Sequence, residues 1–261
     1  MHITSVEYTN DLFNMINQSA IKYCVLRNFI HLPESTGNSD LDILIHYKSI
    51  HDFDQLIKQF IYQFKLKLVS VIEDGQYSKY CISDNNWGIQ IDVFKGAVYF
   101  GNKEIIPSSI LFANTEIYNN VYVLNDRVAA LLSFLKELLN NKDCEQKYII
   151  DLQTKFDSLD VKAVFLSQFS PHFISYLNLN LHKLKKESLI QLNQISKKSF
   201  KKPKLFNINF KIKRLFKQPG FFIAFLGSDG SGKSTIIENI SPILSKAFHN
   251  AVYYEHMRPN K

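Results

Sequence analysis

The sequence predicts an α/β protein, and three patterns carry that prediction. Apolar residues recur at helical spacing from Phe53 through Leu56, Ile57, Phe60 and Ile61 to Phe64. Short apolar or alternating runs between turn residues read as strands. A glycine-rich loop joins an apolar run to a helix near the C-terminus. With 46% hydrophobic and 21% charged residues, the composition is that of a chain able to bury a core, and 261 residues leave room for two units. The expected division is a mixed α+β module over 1–140, a helical segment with a basic linker over 141–218, and the beginning of a second α/β unit over 219–261.

Taken in order, Asn10-Asp11 cap a helix bearing Leu12, Met15 and Ile16, and Ile21 to Leu26 form a strand. After a polar loop, Asp40 to Ile45 read as a strand that begins with acids, and the Phe53–Phe64 helix follows. Three strands are expected at Leu66–Ile72, Tyr77–Ile82 and Ile89–Phe94, separated by turns at Asp74-Gly75 and Asn85-Asn86-Trp87-Gly88. The stretch from Gly96 to Asn120 is punctuated by Gly, Pro and Asn and reads as irregular. Val121 to Leu124 form a short strand, Asn125 or Asp126 caps a helix carrying Leu131, Leu132, Leu135 and Leu138, and further helices follow.

Cys24, Cys81 and Cys144 lie far apart without paired spacing, which predicts buried thiols in a reducing compartment. The N-terminus lacks a basic and apolar leader pattern, and no apolar run approaches membrane-spanning length, so a cytoplasmic location is expected. The net charge of +7 is concentrated. Between Lys183 and Lys217 basic residues face a single acid, Glu187, and the remainder of the chain is net acidic. This segment reads either as a solvated tether or as a peripheral contact for anionic lipid or another polyanion. The acidic balance elsewhere and the lack of an RNA-binding motif argue against a nucleic-acid partner.

In a strand, residues i and i+2 share a face, so Asp40 and Asp42 present two carboxylates together while Leu41 points to the core. Asp92, between Ile91 and Val93, is an acid in an otherwise apolar strand, costly to bury without a partner or metal. If the two strands are neighbours, Asp40, Asp42 and Asp92 form a three-carboxylate site for Mg²⁺, suited to phosphoryl or nucleotidyl transfer. Leu26-Arg27-Asn28, Asp40-Leu41-Asp42 and Ile91-Asp92-Val93 together resemble the polymerase-β-like nucleotidyltransferase superfamily. The resemblance implies catalytic, metal-binding roles for the three aspartates. Arg27-Asn28 stands where that family carries Gly-Gly/Ser, which casts Arg27 and Asn28 as phosphate or substrate ligands in place of the usual loop.

The second motif is a P-loop. Phe221 to Leu226 read as a buried strand. Gly227, Ser228, Asp229, Gly230, Ser231, Gly232, Lys233 and Ser234 then fit G-x-x-x-x-G-K-S/T, with Thr235 continuing into a helix. The loop amides and the helix N-terminus cradle phosphates, Lys233 reaches the β/γ-phosphates, and the Ser234 hydroxyl ligates Mg²⁺. The Asp229-Gly230 pair makes this loop similar to that of the thymidylate kinase group. That resemblance implies a second strand at Val252 to Glu255 and places Arg258, before Pro259, near an acceptor phosphate. Pro242 falls inside the following helix, where a kink or an end is expected.

Only Ile236 to Lys261 follow the loop motif, room for one helix and one strand. Chains joining these two modules resemble uncharacterised bacterial proteins associated with surface polysaccharide synthesis, which continue further. The expectation is therefore an N-terminal part of a longer protein, with the P-loop unit inactive as it stands. The leading expectation is an ATP- or NTP- and Mg²⁺-dependent transferase acting on a nucleotide, sugar or glycan acceptor. A nucleotide-sensing scaffold and an RNA-modifying nucleotidyltransferase are the alternatives.

Overall fold

A computed structural model of the chain describes residues 5–157 apart from 38, 75, 85–86, 101–102 and 141–144, and isolated residues between 161 and 177. It also describes residues 222–248 and 252–255 apart from 229. Helix α1 (Ser5–Gln18) starts ahead of the predicted cap at Asn10-Asp11. The apolar stripe explains the early start: Tyr8 precedes Leu12 and Ile16 on one buried face, and its ring lies 5.0 Å from Trp87 and 5.7 Å from Phe64. Strands β1 (Tyr23–Val25) and β2 (Leu41–Ile45) follow, then α2 (Ile50–Gln63), which buries Phe53, Leu56, Ile57 and Phe60 as its periodicity predicts. Strands β3 (Lys67–Asp74), β4 (Tyr77–Ser83) and β5 (Gly88–Lys95) come next.

The stretch expected to be irregular is largely ordered. It forms a hairpin of β6 (Ala97–Phe100) and β7 (Lys103–Pro107), a short helix α3 (Ser108–Ala113) and strand β8 (Thr115–Tyr118), which pairs with β9 (Val121–Leu124). The hairpin hides from pattern reading because its register shifts at Val98/Tyr99, which interrupts strict alternation. Helix α4 (Asp126–Asn140) is capped by Asn125, whose Oδ1 accepts from the Val128 amide at 2.9 Å. Replacing Asn125 with Ala is expected to cost ~1 kcal/mol, read as a lower urea midpoint at unchanged slope. Helix α5 (Gln146–Lys155) packs against α4.

Seven strands form one mixed sheet in the order β3-β4-β5-β2-β1-β9-β8. β2 runs parallel to β5 and β1 parallel to β9, while the other pairs are antiparallel. Alternation splits the core in two. Leu41, Ile43 and Ile45 pack with the side chains of α1 and α2, whereas Leu44 and Phe94 pack with those of α4 and α5. The α/β class predicted from sequence is the class observed. Cys24 and Cys81 are buried free thiols; Cys144 and Lys183–Lys217 lie outside the described residues.

The second unit departs from expectation. Residues 222–226 and 252–255 belong to no ladder, with Phe222 77% and Leu226 91% exposed, so the buried strand expected at Phe221–Leu226 and its partner at Val252–Glu255 are corrected, over the described residues 222–226 and 252–255, to unpaired segments. A strand is stable only as a member of a sheet, and among the described residues none pairs with these. Helix α6 (Lys233–Ala247) follows the loop, runs on through Pro242 and lies against β4 and β5. Among the described residues no helix is long and apolar enough to cross a membrane.

Candidate metal centre and phosphate loop

The parallel pairing of β2 and β5 sets Asp42 directly opposite Asp92. Asp40 lies one side-chain period before Asp42, so all three acids emerge on the face that also carries Leu44 and Phe94. One oxygen from each lies within 4.8 Å of the others. Three carboxylates at that separation form a hard-oxygen donor set that fits a divalent cation such as Mg²⁺.

Cations crowd the same place. Arg27, just beyond β1, donates through Nε to Asp42 Oδ2, and Lys136 of α4 donates to Asp42 Oδ1 at 3.1 Å. The Lys136 ammonium also lies 4.7 Å from the centre of the Phe94 ring. Lys79, opposite Asp92 on β4, reaches Asp92 Oδ1 at 3.1 Å. The Gln90 amide donates to that oxygen at 3.3 Å and to Asp40 Oδ2 at 3.5 Å.

These contacts give the two buried aspartates opposite character. Burial pushes the Asp42 carboxyl up, but the Lys136 and Arg27 charges outweigh it and hold it below the usual carboxylate range. Burial pushes Asp92 up, and Lys79 and the Tyr77 hydroxyl offset this only in part. Burial and the neighbouring Asp92 raise the Tyr77 phenol, which keeps it a neutral donor. Burial opposes the charge on Arg27, yet Asp42 beside it holds the guanidinium above its ordinary value. Of the two residues proposed to replace the family's loop, Arg27 thus joins the cluster, and Asn28 is exposed in the following turn at φ 59°.

Lys79, Gln90, Lys136 and Tyr77 were not singled out by sequence. Lys136 carried a signal in retrospect: it is a lone cation after Val128–Leu135, a helical run buried all round. Lys79 and Tyr77 share one face of β4, but only the β4–β5 register aims that face at Asp92.

The predicted phosphate loop gathers around its lysine. Lys233 Nζ donates to the carbonyls of Gly227 at 2.7 Å and Ser228 at 2.6 Å, with Ser231 Oγ at 3.3 Å. Gly230 and Gly232 both have φ 80°, a conformation that disfavours side chains, and Gly232 caps α6. Ser234 and Thr235 are exposed on the first turn of α6, while Asp229 and Arg258 lie outside the described residues. A cavity of about 610 Å³ is lined by residues 222–226 and 252–255 together with Lys233, Ser234, Ile237, Ile240 and Leu244 of α6.

No protein-family model matches the chain, and no curated protein matches it. Among solved structures, the crystal structure of JHP933 from Helicobacter pylori is similar over 76% of this chain and 94% of its own, at 10% identity and a TM-score of 0.34. A TM-score that low does not establish a shared fold.

Proposed function

We propose that the chain is an Mg²⁺-dependent transferase that uses a nucleoside triphosphate, with nucleotidyl transfer centred on Asp40, Asp42 and Asp92. The observation that carries this reading is the register of β2 and β5, which brings three carboxylates from two strands to one point. Asp40, Asp42 and Asp92 would hold the metal, which when bound neutralises phosphate charge and activates an attacking oxygen. Arg27 and Lys136 supply positive charge on the same face for the phosphates. Lys79, Gln90 and Tyr77 orient the Asp92 carboxylate. The loop from Gly227 to Thr235 is a second nucleotide site, whose Lys233 exchanges the carbonyls of Gly227 and Ser228 for phosphate oxygens. The acceptor is a nucleotide, a sugar or a glycan, and the Lys183–Lys217 segment serves either as a solvated tether or as a contact for anionic lipid or another polyanion.

The test is pyrophosphate release from NTPs with Mg²⁺ and a panel of sugar phosphates and glycans as acceptors. In the Lys233→Ala background, Asp42→Asn is expected to reduce release ~10²–10³-fold, and Asp92→Asn to do likewise. Release that survives both changes overturns the assignment. The ion pairs at Asp42 and Asp92 support a second reading, a structural salt-bridge cluster inside a nucleotide-sensing scaffold. On that reading the aspartate variants lose stability, the wild type has no metal-dependent release, and only Lys233→Ala changes nucleotide binding.

A further inference from the structure

Each oxygen of Asp42 already carries a cation. Arg27 occupies Oδ2 and Lys136 occupies Oδ1. The site is nearly dry, with the Asp42 side chain 1% exposed and those of Arg27 and Lys136 at 19% and 14%. Each oxygen keeps a second lone-pair direction, but a divalent ion placed there meets a cation already held on the same oxygen and competes with it, and a cation displaced inside so dry a site needs another anion close by. Formal charge points the same way. The carboxylates of Asp40, Asp42 and Asp92 face three cations, Arg27, Lys79 and Lys136. A bare divalent ion adds uncompensated positive charge to that balance, whereas an ion arriving with a polyphosphate does not. Guanidinium and ammonium groups are strong donors to phosphate oxygens, so the displaced side chains have a ready destination.

Building on the proposed metal site, we infer that Arg27 and Lys136 make metal entry conditional on a triphosphate chain. The two cations transfer from Asp42 to phosphate oxygens as the metal takes their place, so metal and triphosphate bind as a pair and each binds poorly alone. Removing one cation then has two opposite effects. The bare metal gains affinity because a competitor for Asp42 is gone, and the metal–triphosphate pair loses affinity because a phosphate ligand is gone.

The test uses the full chain carrying Lys233→Ala, so that the phosphate loop does not contribute. Water-proton relaxation reports Mn²⁺ immobilised on the protein, and two titrations are compared, one with Mn²⁺ alone and one with its tripolyphosphate complex. Lys136→Met keeps the stem against Phe94 and removes the charge; Arg27→Met does the same from a different element. Either change is expected to strengthen binding of Mn²⁺ alone by about tenfold and weaken binding of the complex by about tenfold, a coupling within the usual ~5–150-fold range. Circular dichroism melting identifies a variant that fails to fold, in which case the other carries the comparison. The inference is overturned alone if Asp42→Asn abolishes Mn²⁺ binding while both methionine variants keep the wild-type affinities. The metal site itself fails if Asp42→Asn leaves both titrations unchanged.

Discussion

Asp42→Ala is expected to lower the free energy of unfolding by about 3–5 kcal/mol, because it removes the buried carboxylate that Arg27 and Lys136 both hydrogen-bond. The measurement is urea denaturation without divalent ions, and a loss below about 1 kcal/mol would mean that both cations regain water at little cost. Adding Lys136→Met to Asp42→Ala should recover part of the loss, since one orphaned charge is then gone. The effect has a definite pH dependence. Because the folded Asp42 carboxyl lies below its unfolded value, its stabilisation is fully present above the unfolded pKa of ~4 and is lost as pH falls through the folded value. Asp92, raised in the fold, works against stability at neutral pH and is relieved in acid. The gap between wild type and Asp42→Ala should therefore narrow steadily as the solution is acidified.

The other large effect is expected at Phe134. Its ring is fully buried in α4, packed with the apolar residues of that face, two positions before Lys136. Truncation to Ala removes the burial of a large ring and leaves a cavity, together costing about 3–5 kcal/mol. Tyr62→Ala on α2 is the control. At 86% exposure it should change stability by no more than about 0.5 kcal/mol. Comparable losses at the two positions would mean that the partition of buried and exposed faces described above is wrong. If Phe134→Ala remains folded, relaxed packing around Lys136 should also weaken binding of the Mn²⁺–tripolyphosphate complex.

What could be read in the sequence was what local chemistry dictates. The stripe from Phe53 to Phe60 identifies α2, and Asp40 and Asp42 share a face because strand geometry demands it. Asp92 stood out as an acid between Ile91 and Val93, although its position opposite Asp42 depends on a parallel pairing that no local pattern encodes. Lys79, Gln90 and Lys136 went unseen for the same reason: each belongs to the site through a long-range contact. The hairpin from Ala97 to Pro107 was lost to a register shift and to the punctuation of Gly96 and Pro107. Over Phe222 to Leu226 the apolar run suggested burial, yet burial of a strand is conferred by its neighbours, and the described residues provide none.

The parallel pairing of β2 with β5 also has a kinetic side. Asp42 and Asp92 are separated by α2 and the β3–β4 hairpin, and β1 meets β9 only after most of the module has been threaded between them. Closing such large loops is slow compared with forming hairpins such as β3–β4 and β4–β5. Lys79 and Asp92 can therefore meet early, within one hairpin, whereas Asp42 joins them only when the non-local ladder zips. During refolding, capture of the Mn²⁺–tripolyphosphate complex at the three carboxylates should lag behind the gain of hairpin structure, making the proposed site a late reporter that the sheet has reached its native strand order.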